Sequence, residues 1–314
     1  MAISNTVITR RITAVLFANK SLHLAAMLAI FTVTPVIAVR LTANYSFAGI
    51  PGTALLLGRA AGAYPIGWLM DRHGRRQGLS AGFLAAIAGA LIGVLAVTQS
   101  FFALLVLASF IVGISGSALE QTRYIAAEIA PPENRAKAIG LIVFAGTAGS
   151  LGGRLVIEIS TQLAKITGTD ELACPWILAV TLMVCGLILN HLLLRPDPLT
   201  LARQVHSPGI SHIQRHPPTA RPMSLIFRTP TVLLATIVMA LAQLSMTVVM
   251  VVTPLHLEYC GYGTQFMSTA LMLHTLGMFA FSSLTSRLVN TLGGISTALF
   301  GALMLLASAI IGYS

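Results

Sequence analysis

The sequence predicts an all-α, polytopic membrane protein, and three observations carry that reading. Of its 314 residues 56% are hydrophobic and only 9% charged, where a soluble domain carries near a quarter. The apolar residues fall in runs of about twenty, the length a helix needs to cross a bilayer. The basic residues collect in the gaps between those runs, where they set topology. The net charge of +10 is therefore not read as a nucleic-acid surface, and the lipid bilayer is the expected surrounding. The length leaves room for roughly nine spans and no large soluble domain.

The runs lie at about 21–40, 46–70, 78–98, 101–128, 138–157, 174–194, 231–255, 265–288 and 294–312. Each is read as a helix, because lipid offers open strands no hydrogen-bond partners and the runs lack the alternation of barrel strands. At the N-terminus, MAISNTVITRRITAVLFANK has a short apolar patch that Lys20 interrupts, so no cleaved signal peptide is expected. Counted over alternate connectors, fifteen Lys and Arg fall on one side, Lys20, Arg72, Arg75, Arg76 and Arg123 among them; only Arg40, Arg154 and Lys165 fall on the other. Positive residues stay in the cytoplasm, so the N-terminus is placed inside a multi-pass cell-membrane protein and the C-terminus outside. Arg59 is left within a span.

Residues 196–230 form the longest connector, rich in Pro, Arg and His, and read as a cytoplasmic linker. It separates a six-helix bundle, 1–195, from a partial second bundle of about three helices, 231–314. His206, His212 and His216 in the linker have no ligand spacing and no carboxylate among them, so no metal site is expected. Cys174, Cys185 and Cys260 show no CxxC pair and are read as free thiols. No cofactor motif stands out.

Adding 219 to a residue number lays the first bundle on the second without a gap. Val33, Thr34 and Pro35 fall on Val252, Thr253 and Pro254, and Gly58, Gly74 and Gly82 fall on Gly277, Gly293 and Gly301. Pro and Gly punctuate helices for steric reasons, so these coincidences are informative. Spans seven to nine repeat spans one to three, the internal duplication from which many secondary transporters are built. By that arithmetic the second half should hold six helices, and three are present.

The connector after the second span reads Gly67-Trp68-Leu69-Met70-Asp71-Arg72-His73-Gly74-Arg75-Arg76. Here the sequence resembles the major facilitator superfamily, whose signature in this loop is G-x-L-x-D-R-x-G-R-R/K. The resemblance implies a major-facilitator-type fold, secondary transport of a small solute with a coupling proton or other ion, and no enzymatic activity. Gly67 and Gly74 would allow close approach and a tight turn, Asp71 a negative charge at a helix end, and the arginines fixed positive partners. The second copy, from Ser286 through Asn290 to Gly293, keeps the glycine and loses the charges, so only the first can act as an electrostatic latch. After span four, Glu128, the pair Pro131-Pro132, Glu133 and Arg135 are similar to the family's acidic, proline and arginine pattern. Glu128 is expected to bridge to Arg72 or Arg75 or to stand as an unpaired interfacial charge. Gly146, Gly149, Gly152 and Gly153 look like the family's antiporter motif without its proline, and packing alone is the preferred reading. Ser109 stands where family analogy expects an arginine, against a drug/proton antiporter.

Ionisable residues within a membrane mark either a path or a structural pair. Arg59 lies twelve positions before Asp71, about 18 Å along a helix, and Glu120 eight before Glu128, about 12 Å, with Arg123 one turn on. Either Arg59 and Glu120 face one cavity, as anion contact and protonatable carboxylate, or they neutralise each other or their neighbours and hold helices together. His274 and His23 are weaker path candidates, and Gln121, Asn190 and Gln243 have no spacing argument. No phosphate loop and no catalytic constellation such as HExxH is present. The competing functional class is a truncated or accessory membrane protein without transport of its own.

Overall fold

The computed structural model describes residues 2–131, 134–205, 228–281, 284, 287–288 and 291–313. Pro132, Glu133, most of the linker with His206, His212 and His216, and Ser286 and Asn290 of the second motif copy lie outside them. The described residues form eleven α-helices and a short 3₁₀ turn at Tyr45–Phe47, with no strand among them. In chain order the helices are α1 (Ala2–Thr42), α2 (Ile50–His73), α3 (Arg75–Thr98), α4 (Phe102–Glu120), α5 (Thr122–Ile129) and α6 (Arg135–Thr167). They continue as α7 (Cys174–Leu193), α8 (Pro198–Val205), α9 (Pro230–Tyr259), α10 (Thr264–Ala280) and α11 (Gly294–Tyr313).

Each of the nine apolar runs is met by helix, and among the described residues six helical stretches are long and apolar enough to cross a membrane: α1, α3, α4 with α5, α6, α7 and α9. α2 and α10 fall short for local reasons. α2 carries Arg59, Asp71 and Arg72 among glycines and alanines, and α10 has 17 residues. α1 starts well before the expected 21, because Ile12, Val15 and Leu16 are buried and hold its N-terminal turns against the bundle. Lys20 is thereby an interior residue of a continuous helix and not an interruption before one.

The span at 101–128 is broken at Gln121. Ser115, Ser117 and Thr122 each donate a hydroxyl to the carbonyl three residues earlier, and Gln121 N bonds Ala118 O at 3.1 Å. Such back-bonding competes with the i−4 ladder and bends a helix. The break falls beside Glu120.

Within the first bundle α1 lies against α6 and α7, α2 and α3 against α4, and α3 against α7. Small residues let these backbones approach as membrane helices do: a Cβ on Gly58 would collide with the Phe110 carbonyl, and Trp176 and Phe83 fill the gaps left by Gly93 and Gly186. α10 packs on α6, and α9 and α10 on α1. α9 meets the first bundle through its second half, where Met250 and Pro254 are buried, while Thr231–Gln243 are mostly exposed.

The duplication is visible in the backbone. Pro35 and Pro254 each sit inside their helix, and Gly74 and Gly293 both adopt positive φ, +104° and +82°, at a helix junction. Only glycine takes that conformation without strain.

Candidate functional site

Four helices bring charged side chains together inside the first bundle. Lys20 on α1 is 7% exposed, and its Nζ donates to Glu120 Oε1 at the end of α4 at 2.7 Å. Arg123 on α5 approaches the other carboxylate oxygen, with NH2 3.7 Å from Glu120 Oε2, and lies over the Tyr124 ring. Arg59 on α2 and His23 on α1 complete the electrostatic neighbourhood. Arg59 is seated by Gly116 of α4, where an added Cβ would stand 3.0 Å from its Nε. His23 Nδ1, Arg59 Nε and Arg123 Nε are buried and have no hydrogen-bond partner.

Glu120 therefore pairs with Lys20, a residue that sequence reasoning assigned to topology, and no ion pair joins Arg59 to Glu120 among the described residues. Of the two arrangements expected for a structural pair, Glu120 is met by its neighbours Lys20 and Arg123 and not by Arg59. Lys20 was hidden because its partner is 100 residues away and the apolar pattern around it is weak. The continuous α1 is the signal that exposes it, since Lys20 lies nine residues, about 13 Å, along the helix from Arg11.

A second node lies at the end of the bundle that carries the loop motif. Arg75 forks onto Glu128, Nε to Oε2 at 3.0 Å and NH2 to Oε1 at 2.7 Å, the planar bidentate geometry that favours arginine. Its NH1 also donates to Asp71 Oδ1 at 2.8 Å. Arg72 instead lies over Trp68, 5.2 Å from the ring centroid, so of the two expected partners Glu128 takes Arg75. Arg76 donates to the His191 carbonyl. Arg135 opens α6 and is exposed.

Gly74 is explained by a residue that sequence reasoning passed over. Asp197, just beyond α7, accepts from Arg75 N at 3.1 Å and Arg76 N at 3.0 Å, capping α3. A Cβ at Gly74 would stand 2.5 Å from that carboxylate. Gly67, by contrast, has nothing within 4 Å of the Cβ it lacks, so no close approach requires it. Asn190, buried, ties α7 to α1 and α3, accepting from Asn19 and donating to Ser80 Oγ and the Arg76 carbonyl.

The glycines of α6 face two neighbours. Gly149, Gly152 and Gly153 oppose Leu24, Ala25 and Leu28 of α1, and Gly146 opposes the Phe279 ring of α10. His274 on α10 is half-buried with Nε2 unpartnered. Farther along α6 the two parts are joined by polar bonds, Arg154 Nε to Thr269 Oγ1 at 3.1 Å and Thr264 Oγ1 to Glu171 Oε1 at 2.8 Å. These groups line a polar cavity of about 500 Å³ with Thr161 and Lys165. Arg40 joins that end through Asp170 at 2.8 Å. Among the described residues no group of three His, Cys, Asp or Glu is placed to hold a metal.

The sequence pattern of the Major Facilitator Superfamily matches residues 15–313. The chain is 31% identical over 296 residues to the uncharacterized MFS-type transporter YdeG of Bacillus subtilis (strain 168), covering 92% of this chain and 67% of that protein. It is 23% identical over 273 residues to the riboflavin transporter RfnT of Brucella anthropi, covering 87% and 65%. The chain thus spans about two thirds of the length of the curated relatives it matches. Among solved structures, the partially occluded inward-open xylose transporter XylE from E. coli superposes with a TM-score of 0.60 at 16% identity, covering 90% of this chain and 73% of that one. A crystal structure of a D-xylose-proton symporter matches with the same TM-score at 17% identity, covering 92% and 70%. Taken with the duplicated helices and the charged loop between α2 and α3, these matches place the chain in the major facilitator superfamily.

Proposed function

We propose that the chain works in the cell membrane, N-terminus inside, as a secondary transporter that moves a small solute by alternating access together with a coupling ion. The observation that carries this reading is the Lys20–Glu120 pair with Arg59 beside it. Ionisable groups cost several kcal/mol in lipid and persist where they face protein or a wetted path. These sit about 12 Å inside the Arg75 end, at the convergence of α1, α2 and α4, where a solute path between repeats is expected. The two parts are tied near the Arg154–Thr269 end, and the first half of α9 stands away. That arrangement suits a path open toward the Arg75 side.

Glu120 is the group on which a coupling proton would travel. Protonation removes the charge that holds Lys20 and leaves the ammonium free for another partner, which links proton and solute occupancy. The Asp71–Arg75–Glu128 node joins α2, α3 and α5 and serves as a latch whose making and breaking accompanies the switch. The glycine face of α6 gives α1 and α10 a close surface to move on. RfnT is named for riboflavin and a fold neighbour for D-xylose and protons, which supports small-solute transport and leaves the solute to the site itself.

Uptake of labelled sugars, vitamins and carboxylates into proteoliposomes tests this. At least one solute should enter saturably and faster under an inward proton gradient. Entry should stop when Thr161→Cys and Thr264→Cys, whose native hydroxyls share Glu171 Oε1, are joined by a disulfide. Uptake of the whole panel at the protein-free rate would refute the reading.

A further inference from the structure

The charges in the central cluster do not balance. Lys20, Arg59 and Arg123 bring three positive groups and Glu120 one negative, with His23 the remaining titratable neighbour. Glu120 is already engaged, by Lys20 at 2.7 Å and Arg123 at 3.7 Å, and has no oxygen bonded to Arg59. The Arg59 guanidinium is held in place by Gly116, with its Nε buried and unpartnered. His23, 3% exposed, presents a second unpartnered nitrogen in the same neighbourhood. The repeat carries no charge at the matching positions: Lys20, His23 and Arg59 fall on Met239, Ala242 and Met278. Lys20 and His23 are buried and Arg59 half-buried, and an excess of positive charge so placed is tolerated when a ligand supplies the missing negative charge.

Resting on the transport reading above, we propose that the solute is a small organic or inorganic oxyanion and that Arg59 is its first contact. The guanidinium fork offers paired donors matched to a carboxylate or phosphate. His23 feels its charge, and Lys20 becomes available when Glu120 takes a proton. The shared chemistry is the oxyanion, and the choice between carboxylate and phosphate is settled by experiment.

The test is binding, read separately from transport. The purified full chain in neutral detergent is titrated with succinate, citrate, inorganic phosphate and sulfate, and with D-xylose and riboflavin as uncharged comparators, and its melting temperature followed. At least one oxyanion should raise the melting temperature saturably while the neutral solutes do not, and whether the carboxylates or the inorganic ions do so identifies the class. Arg59→Ala should weaken that binding at least about tenfold, as loss of a charge-assisted contact implies. Gly116→Ala keeps every charge but crowds the guanidinium, and should weaken it too, so a folding defect in one variant does not blur the answer. No shift with any oxyanion, or a shift unaltered in both variants, would overturn the proposal. Saturable uptake of a neutral solute without oxyanion binding would overturn it and leave the transport reading standing; Arg59-dependent oxyanion binding without uptake would uphold the oxyanion site at Arg59 and refute that reading.

Discussion

Helices α1–α3 and their repeat α9–α11 share prolines, junction glycines and order, yet the charged cluster and the latch draw on the first set. Lys20, His23, Arg59 and Asp71 become Met239, Ala242, Met278 and Asn290 at the repeat positions. The surroundings differ as sharply: 78% of the most apolar stretch of α1 is buried in the protein, and none of that of α9. Pro and Gly set the course of a helix, whereas the identity of a side chain makes a site, and here the copies share the first and differ in the second. Duplication accounts for the scaffold and says nothing about which copy holds the path.

The comparison can be broken most forcefully at the buried pair. Glu120→Gln strands the Lys20 ammonium and should cost about 3–5 kcal/mol of stability. Lys20→Met leaves the more open Glu120 carboxylate and should cost less, about 1–2 kcal/mol. The double replacement Lys20→Met with Glu120→Leu should recover most of the loss, since an apolar pair can replace a buried ion pair. Thermal unfolding of the three variants reads this directly, and Met239→Leu in the repeat should leave melting unchanged.

Matched glycines sharpen it. Gly58→Ala drives a methyl into the Phe110 carbonyl and should destabilise by about 1–3 kcal/mol. Gly277→Ala meets open space and should be neutral or gain up to about 1 kcal/mol from helix propensity. At the junctions, Gly74→Ala adds a 2.5 Å approach to the Asp197 carboxylate to the cost of positive φ, and Gly293→Ala carries the conformational cost alone. The first should exceed the second by about 1 kcal/mol in chemical or thermal unfolding.

Asp71→Asn should have the smallest effect on stability, within about 0.5 kcal/mol, because its side chain is 74% exposed and the pair with Arg75 is i,i+4. Its consequence is conformational: a cysteine at Ser21 should change its reactivity toward a water-soluble thiol reagent if the latch sets the resting state. Unchanged reactivity would remove Asp71 from that role.

The parts legible in sequence were those written in local pattern. Apolar runs gave the spans, the offset of 219 gave the repeat, and the ordered loop Asp71–Arg76 gave the node that Glu128 completes through Arg75. What was hidden depends on distance along the chain. Lys20 meets Glu120 across 100 residues, Asp197 reaches back to cap α3 across 122, and Asn190 draws α1 and α3 together. Single polar residues in apolar helices carry no period, so nothing local says which will meet. The expected orientation keeps its basis: moving Lys20 and Arg123 from the topological tally to the cluster leaves thirteen basic residues against three.

As a solute path, the cluster in the first bundle must do more than hold helices together. Uptake into proteoliposomes by the Lys20→Met/Glu120→Leu double variant, matched to wild type for melting temperature, tests it most directly. The account predicts restored stability with uptake abolished. Restoration of both stability and uptake would show the cluster to be structural and contradict the claim.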